Sequence, residues 1–232
     1  MFLDRQHAGV ELGKKVLEWL RSHGQDGGEA VVFGIPRGGV VVAGEVAKVL
    51  RCPLRLVIAR KIGAPFNPEL AIGAVGPDGT ITVDEKLTTW AQVPSEELFA
   101  LAKGVLQEIS RRAKVYGQKE GIPEAARKTV VLVDDGVATG ITVRAAIESL
   151  KRAGASKIVL AVPVAPKDVL EALARWVDGV ICLSTPEDFV CVGNWYVDFH
   201  QVSDEEVINI LRAGKTIGDE GLQAGGWEWR KE

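Results

Sequence analysis

The sequence predicts an α/β fold with a central, mostly parallel sheet flanked by helices. Short runs of β-branched residues alternate along the chain with longer amphipathic segments, which is the pattern of α/β proteins. Several of the short runs are almost continuously apolar, as parallel strands buried on both faces tend to be. The predicted strands cover residues 30–33, 54–59, 70–75, 80–83, 129–133, 157–163 and 179–183.

Two of the helices between these strands have clear ends in the sequence. Apolar residues at helical spacing follow Ser95, whose hydroxyl is placed to cap the helix ahead of Glu96 and Glu97. They predict a helix of about twenty residues. A second helix, over residues 141–153, follows the fifth predicted strand. We expect it to stop at Gly154 in a left-handed conformation.

A third helix is predicted near the end of the chain. Ser203 and Glu206 are spaced as a capping box, in which each side chain bonds the backbone N–H of the other residue. The helix is predicted to be short and to close at Gly214. Residues 215–232 are Gly-rich and polar, so we expect a C-terminal tail that frays or packs as an arm.

Length and composition are those of one folded domain without covalent or metal support. The chain has 232 residues, of which 47% are hydrophobic and 25% are charged, and its formal net charge is -3. A core of this size needs neither a disulfide nor a structural metal. The three cysteines, Cys52, Cys182 and Cys191, lack metal-ligand spacing, so we expect free thiols and a cytoplasmic protein.

Composition also argues against two classes of partner. No apolar run reaches the roughly 20 residues that a bilayer span needs, and charges interrupt residues 1–20, so we expect neither a membrane segment nor a signal peptide. A near-neutral net charge argues against broad nucleic-acid binding, which needs a basic surface. A small, locally positive pocket is compatible with this charge.

The most informative segment is a buried strand followed by an acidic pair and a turn of small residues, VVLVDDGVATGIT at residues 130–142. The strand delivers Asp134 and Asp135 to the carboxyl edge of the sheet, where ligands bind in doubly wound folds. The turn opens a helix, whose free N–H groups can hold a phosphate together with the hydroxyls of Thr139 and Thr142. The two carboxylates can accept from sugar hydroxyls and hold a divalent cation.

This segment resembles the 5-phosphoribosyl-1-pyrophosphate (PRPP) motif of type I phosphoribosyltransferases, with four apolar residues, two acids and a Thr-Gly-x-Thr loop. The alternative is a strand whose two aspartates only cap the next helix. That alternative suits one acid and any polar turn, and it explains the whole constellation poorly.

Two further segments agree with the resemblance and follow the expected chain order. The loop GIPRGGV after the first predicted strand resembles the pyrophosphate loop, in which Gly38 and Gly39 permit close approach to an anion and Arg37 supplies charge-assisted hydrogen bonds. Arg60 and Lys61, at the end of the second predicted strand, match a basic pair that several members place against pyrophosphate. Each segment alone is common elsewhere, but three strand ends meet at one edge of a parallel sheet.

The resemblance covers about residues 30–164 and implies a type I phosphoribosyltransferase fold with a small hood, a variable cap over the site. We expect a single domain over residues 1–214, with the hood formed by residues 183–214 and the N-terminal segment as a further contributor. The segments RKIGAP, NPELAIGA and WYVDF are similar to a bacterial group of predicted phosphoribosyltransferases. Relatives in the family commonly dimerise, so a homodimer is the expected assembly.

The implied activity is displacement of pyrophosphate from PRPP by a nucleobase or related nitrogen nucleophile, with Mg²⁺ as cofactor. The catalytic residues implied by the resemblance are Asp134, Asp135, Arg37 and Lys61, and the two aspartates also hold the metal. The implied PRPP contacts are Arg37, Gly38, Gly39, Arg60, Lys61, Asp134, Asp135, Gly136, Val137, Ala138, Thr139, Gly140, Ile141 and Thr142.

Two further parts of the site are predicted, and each has an alternative interpretation. The acceptor-binding group comprises Trp195, Tyr196, Asp198 and Phe199, for which the alternative is ordinary core packing. The loop that closes over the reacting centre is expected between residues 111 and 127, with Arg111, Arg112 and Tyr116 as its candidates. Its alternative is the solvated end of the long helix.

The sequence departs from better-known members of the family at three positions of the phosphate loop. Ala138 stands where enzymes acting on 6-oxopurines usually carry an aspartate, which argues against an ordinary hypoxanthine-guanine enzyme. Gly136 replaces a β-branched residue and Ile141 a small one. A non-catalytic regulator that senses PRPP or a nucleotide on the same fold is the alternative function. Such regulators tend to add a DNA-binding domain or a basic surface, and the sequence shows neither.

Overall fold

The computed structural model describes residues 1–118 and 122–218. Its strands are β1 (Ala30–Gly34), β2 (Leu54–Leu56), β3 (Arg60–Ala64), β4 (Asn67–Val75), β5 (Ile81–Val83), β6 (Thr129–Val133), β7 (Lys157–Val164) and β8 (Gly179–Ser184). Its helices are α1 (Arg5–Ser22), α2 (Gly38–Leu50), α3 (Glu85–Trp90), α4 (Ser95–Val115), α5 (Ile141–Arg152), α6 (Lys167–Ala174) and α7 (Asp204–Gly218). The predicted α/β class is confirmed.

Five of these strands form the central sheet, in the order β2-β1-β6-β7-β8, and every neighbouring pair is parallel. β1 and β6 are buried along their whole length, as their continuous apolar sequences require. They pair in register from Ala30 with Thr129 to Gly34 with Val133. The loops that follow β1 and β6 therefore begin side by side at the carboxyl edge of the sheet.

Each face of the central sheet is covered by helices with an apolar stripe. On one face Leu12 of α1 and Val46 of α2 pack against Val131 of β6. On the other face Ile147 of α5 packs against Leu132, whose side chain points the opposite way from its neighbour in the strand. All five side chains are fully buried, and removing one such aliphatic side chain from water stabilises the fold by about 2 kcal/mol.

β3, β4 and β5 form a separate antiparallel sheet, which corrects the predicted course of the chain after β2. The predicted second strand ran over residues 54–59, but β2 ends at Leu56. Val57 and Ala59 are buried in a connection outside any strand. An apolar run does not distinguish a buried strand from a buried connection. Arg60 consequently begins β3 instead of ending β2.

Two of the predicted helix ends are confirmed. Gly154 follows α5 with φ +84°. The Ser203 hydroxyl accepts from Glu206 N–H at 3.1 Å, and the Glu206 carboxylate accepts from Ser203 N–H at 2.8 Å, which completes the capping box. The predicted cap at Ser95 is wrong, because Ser95 is already helical and the capping position falls on Pro94, without a side-chain hydrogen bond.

The predicted end of α7 at Gly214 is also wrong, because the helix continues to Gly218. Gly214 lies within the helix, where the position of its missing Cβ is 3.2 Å from Leu54 of β2. Gly214 therefore allows a close contact between α7 and β2 and does not end the helix. Of the predicted tail, residues 219–232 lie outside the described residues.

The N-terminal segment pairs with part of the segment predicted as the hood. Phe2 forms a parallel bridge with Tyr196, and its N–H donates to the Trp195 carbonyl at 2.8 Å. Val197 N–H donates back to Phe2 O at 2.8 Å. Among the helices of residues 1–118 and 122–218, none has the length and apolar character of a membrane span. The three cysteines are free thiols, as expected.

Candidate active site

The candidate site lies at the carboxyl edge of the central sheet, where the loops after β1 and β6 run side by side. Ile35 N–H donates to the Val133 carbonyl at 3.0 Å, which extends the strand pairing into the first loop. The first loop runs into α2 at Gly38, and the second runs into α5 through Gly140, whose φ is +78°. Each loop therefore ends at a helix N-terminus, where unpaired N–H groups favour an anion.

Glycines in the first loop allow the two loops to touch. A Cβ on Gly39 would lie 2.6 Å from Asp134 Oδ1, and a Cβ on Gly38 would overlap the carboxylate of Asp135. The sequence predicted that these glycines make room for an anion. In the structure the nearest anionic groups are the two carboxylates of the acidic pair, so the first loop is fitted around the second.

The acidic pair carries charge that is costly to bury. Burial raises the pKa of Asp134 well above its ordinary value, and repulsion from Asp135 raises it further. Burial also raises the pKa of Asp135, although the nearby Arg5 opposes that shift. The Asp134 carboxylate accepts from Asp135 N–H at 2.9 Å, which holds the two groups in a fixed relation. A cation bound here relieves this repulsion.

Arg5, the first residue of α1, is a site residue that the sequence did not single out. Its Nε donates to Asp135 Oδ2 at 2.7 Å, and its Nη1 donates to the His200 carbonyl at 2.9 Å. Its guanidinium lies 3.8 Å from the centre of the Phe199 ring. The partners are 130 or more residues away along the chain, so no local motif marks this arginine.

Three arginines form a cationic cluster beside the first loop. Arg60 Nη1 lies 3.7 Å from Glu108 Oε1, and Arg112 Nε lies 2.9 Å from the same oxygen. Burial lowers the pKa of Arg60, and repulsion from Arg112 and Arg37 lowers it further. Arg37 stands at the start of α2. Glu108 also binds Arg111, and these contacts lower the pKa of its carboxyl to about 2.

Lys61 lies apart from this cluster. Successive residues of a strand point to opposite faces, so Arg60 and Lys61 of β3 diverge. Lys61 Nζ binds Glu69 Oε2 of β4 at 2.8 Å, and both side chains are exposed. The structure thus separates two side chains that the sequence placed together on pyrophosphate. The physical cause is the early end of β2, which leaves the basic pair inside an antiparallel strand.

The residues predicted for a closing loop belong largely to a helix. Arg111 and Arg112 lie within α4, and Tyr116 follows its last turn. Tyr116 is buried, its hydroxyl donates to Asp204 Oδ1 at 2.6 Å, and burial raises its pKa to about 12. These positions lie at the end of the long helix, as the alternative had it, but Tyr116 is buried there and not solvated. Residues 119–121 of the expected loop lie outside the described residues.

Only part of the predicted acceptor group faces open space. Tyr196 is 5% exposed, and its hydroxyl donates to the Asp135 carbonyl at 2.6 Å. Its ring is therefore largely covered by protein, and its hydroxyl is directed to the acidic pair. Phe199 is 37% exposed, with Arg5 over one face of its ring. Asp198 is exposed, while Trp195 is half-buried.

The phosphate loop itself has a fixed first part. Val137 N–H donates to the Val164 carbonyl of β7 at 2.9 Å. A Cβ on Gly136 would lie only 2.5 Å from Val192 Cγ1. The side chain of Val192, from the hood segment, thus fills the space that a β-branched side chain would take at position 136.

The second part of the phosphate loop is open. Ala138 and Thr139 are exposed, Gly140 and Ile141 are buried, and Thr142 is half-buried on the first turn of α5. Thr139, Gly140 and Ile141 border a groove of about 600 Å³. An incoming phosphate therefore has access to the hydroxyl of Thr139 and to the N-terminus of α5.

The family model for the phosphoribosyl transferase domain matches residues 3–199. The chain belongs to the phosphoribosyl transferase domain family. Two Mycobacterium tuberculosis proteins, provisionally named phosphoribosyl transferases, are 40% identical over 223 residues, which is 95% of this chain and 49% of theirs. The chain thus spans about half the length of these curated relatives.

A solved structure supports the fold of this phosphoribosyl transferase domain. The crystal structure of TT1426 from Thermus thermophilus has 39% sequence identity and a TM-score of 0.73, over 90% of this chain and 97% of that one. The resemblance to type I phosphoribosyltransferases and the predicted fold are therefore confirmed. In this chain the acidic pair and the glycine loop are in contact at the sheet edge.

Proposed function

We propose that this phosphoribosyl transferase is an enzyme that displaces pyrophosphate from PRPP with a nucleobase or related nitrogen nucleophile in the presence of Mg²⁺. The observation that carries the proposal is the contact between the loop of Gly38 and Gly39 and the acidic pair of Asp134 and Asp135. Through this contact, two helix N-termini and two carboxylates lie at one edge of the sheet, and the cationic cluster lies beside them.

The 5-phosphate of PRPP fits the open part of the phosphate loop. The N-terminus of α5 offers unpaired N–H groups, and Thr139 offers an exposed hydroxyl. The hydrogen bond from Val137 to Val164 anchors the start of the loop to the sheet. A fixed loop binds phosphate without a large cost in conformational entropy.

The pyrophosphate group fits the cationic cluster of Arg37, Arg60 and Arg112. Arg60 is repelled by the other two, and the carboxylate of Glu108 opposes this repulsion at Arg60 and Arg112. A dianionic or trianionic group relieves that repulsion. Arginine is suited to this task because its planar fork binds two phosphate oxygens at once. The departing negative charge is stabilised by the same groups.

The ribose hydroxyls and Mg²⁺ fit the acidic pair. Carboxylate oxygens are the ligands that Mg²⁺ takes in proteins, and the ion commonly keeps several waters and uses one or two carboxylates with substrate phosphates. The pKa values of Asp134 and Asp135 are raised because their negative charges are buried and only partly balanced by Arg5. A bound cation would balance the rest. When bound, Mg²⁺ would neutralise part of the negative charge of the leaving group.

The protein's own part in the reaction is positioning and electrostatics. The nucleophile's nitrogen forms a bond to the anomeric carbon while the bond from that carbon to the pyrophosphate oxygen breaks. Positive charge develops on the ribose, next to Asp134 and Asp135, and negative charge develops on the leaving group, next to Arg37 and Arg60. The acceptor is expected under the hood segment, where Phe199 and Asp198 are accessible.

The test is release of pyrophosphate from PRPP and Mg²⁺ across a panel of purine, pyrimidine and smaller nitrogen bases. We expect release with one class of base and none without Mg²⁺. Calorimetric binding of PRPP without release by any base in the panel would support the alternative, a non-catalytic sensor on the same fold. Absence of both binding and release would remove the proposal.

A further inference from the structure

We infer that Arg5 is a positioning residue of the PRPP site, which holds Asp135 in place and leaves Asp134 as the carboxylate that faces the ribose and its cation. This inference rests on the proposed function and assigns unequal roles to two acids that the sequence treats as equivalent. It concerns a residue of the N-terminal helix, outside both loops of the site.

The ion pair between Arg5 and Asp135 is short and shielded. Nε of the arginine lies 2.7 Å from Oδ2 of the aspartate, with side-chain exposures of 7% and 16%. A charge-assisted hydrogen bond of this length in a water-poor setting is much stronger than a surface ion pair. Asp135 Oδ2 is thus already engaged before any ligand arrives.

The arginine is itself oriented by the hood segment. Its Nη1 donates to the His200 carbonyl at 2.9 Å, and the face of its guanidinium packs on Phe199 at 3.8 Å from the ring centre. Asp135 is held a second time, because its backbone carbonyl accepts from the Tyr196 hydroxyl at 2.6 Å. Side chain and backbone of this aspartate are therefore both anchored from the same side.

The same ion pair is fitted against the pyrophosphate loop. The space beside Gly38 holds the carboxylate of Asp135, and Arg5 Nε lies 2.8 Å from the place where a Cβ would be. Glycine at this position lets the pair approach the backbone. One arginine consequently links the N-terminal helix, the hood segment, the acidic pair and the loop expected to bind pyrophosphate.

Asp134 differs from its neighbour. Its Oδ1 accepts from Asp135 N–H at 2.9 Å. Within residues 1–118 and 122–218, no arginine, lysine or histidine nitrogen pairs with it at 4.0 Å or less. An incoming cation or a ribose hydroxyl is attracted more strongly to the less compensated carboxylate, since Arg5 is ion-paired with Asp135 and acts on Asp134 only at longer range. This asymmetry assigns ligand binding to Asp134 and geometry to Asp135.

A competing explanation makes the ion pair a latch that PRPP must break. In that case Arg5 competes with the ligand for Asp135, and removing the arginine tightens PRPP binding. In the positioning role, removing it releases Asp135 and weakens binding. The two explanations thus predict opposite signs for one measurement.

The experiment is calorimetric titration of PRPP with Mg²⁺ into the wild type and three variants. Arg5→Gln is expected to weaken binding about tenfold or more. Arg5→Lys keeps the charge and is expected to restore part of the loss. Arg21→Gln, an exposed arginine in the last turn of the same helix, is the matched control and is expected to bind as the wild type.

A double-mutant cycle shows whether Arg5 acts through Asp135. If it does, Arg5→Gln added to Asp135→Asn causes no further loss of affinity. Equal and additive losses would overturn the inference, and so would unchanged or tighter binding by Arg5→Gln. If the wild type does not bind PRPP at all, the proposed function is wrong. If the wild type binds PRPP and Arg5→Gln binds it equally well, only the inference about Arg5 is wrong.

A fold defect is separated from a positioning defect by the lysine variant and by thermal unfolding. Arg5→Lys retains a cation for the half-buried Asp135, so it is expected to unfold near the wild-type temperature. If this variant is folded and binds PRPP more tightly than Arg5→Gln, the loss in the glutamine variant reflects the positioning of Asp135 and not a fold defect. Equally weak binding by a folded lysine variant would contradict the expected rescue. If both variants are folded and bind as the wild type, Arg5 has no such role.

Discussion

The hydroxyl of Tyr196 donates to the backbone carbonyl of Asp135 at 2.6 Å, which joins the hood segment to the acidic pair. A tyrosine that the sequence assigned to the acceptor thus bonds the residue expected to bind the other substrate. The effect of losing this hydroxyl should appear in PRPP binding and not in selection of the base.

Tyr196→Phe tests this assignment. The change removes one buried hydrogen bond, so we expect a loss of about 1 kcal/mol in the free energy of unfolding. We also expect KM for PRPP to rise more than KM for the base. Ser149→Ala is a suitable control, since it removes a hydrogen bond to Asp78 away from the acidic pair. A larger rise in KM for the base would restore Tyr196 to the acceptor site.

The two acids should respond differently to neutralisation. Asp135→Asn leaves the buried guanidinium of Arg5 without its partner, and we expect a loss of about 3 kcal/mol in the free energy of unfolding. Asp134→Asn removes a charge that burial and repulsion disfavour, so the ligand-free protein should become more stable. Both variants should bind PRPP and Mg²⁺ more weakly than the wild type. Urea denaturation and calorimetry measure the two effects, and equal stability changes would contradict the asymmetry.

The stability gained in Asp134→Asn should depend on pH. The pKa of Asp134 is raised in the folded protein above its ordinary 3.8, so the folded state holds this proton more tightly than the unfolded chain. The associated stability is fully present below about pH 3.8 and is lost as pH rises through the raised pKa. The variant lacks this loss. Melting temperatures in EDTA should therefore diverge in favour of the variant with rising pH, and parallel curves would contradict the shift.

Gly39→Ala should disturb the contact between the two loops. The new Cβ would lie 2.6 Å from Asp134 Oδ1, and we expect a loss of about 1–3 kcal/mol in the free energy of unfolding with weaker PRPP binding. Gly104→Ala is the matched control, because nothing lies within 4 Å of its added Cβ in α4. That variant should gain about 0.5–1 kcal/mol from helix propensity. Equal effects in both variants would contradict the close fit of the loops.

Arg60→Gln and Lys61→Gln separate two neighbours that the sequence paired. Arg60 lies in the cationic cluster, so its loss should raise KM for PRPP about tenfold. Lys61 binds exposed Glu69, and its loss should leave KM unchanged. Steady-state kinetics with saturating base measures both. A comparable rise in the lysine variant would return Lys61 to the pyrophosphate site.

The parts of the site that the sequence predicted are those with contiguous motifs. The loop of Gly38 and the acidic pair each follow an apolar strand directly, and in-register pairing of β1 with β6 brings them together. The role of Arg5 depends on contacts more than 100 residues away, which no local pattern records. Lys61 was assigned to the end of the second strand because the buried connection at residues 57–59 is as apolar as a strand.

The predicted aromatic group shows the same limit. Trp195, Tyr196 and Phe199 were expected together because they are close in sequence and all can stack on a base. In the structure the three side chains differ in burial. The hydroxyl of Tyr196 is buried and needs an acceptor, and it donates to the backbone carbonyl of Asp135. Which ring remains accessible follows from packing between distant segments, and spacing alone does not decide it.

Val192 of the hood segment occupies the notch left by the absent side chain of Gly136, 2.5 Å from the place where a Cβ would stand. The hood segment is thus fitted closely to one position of the phosphate loop. A chimera in which the hood segment is replaced by that of a relative, in order to change the accepted base, must therefore exchange residues 136 and 192 together. A bulky residue at the first position would displace the valine and lift the graft away from the acidic pair.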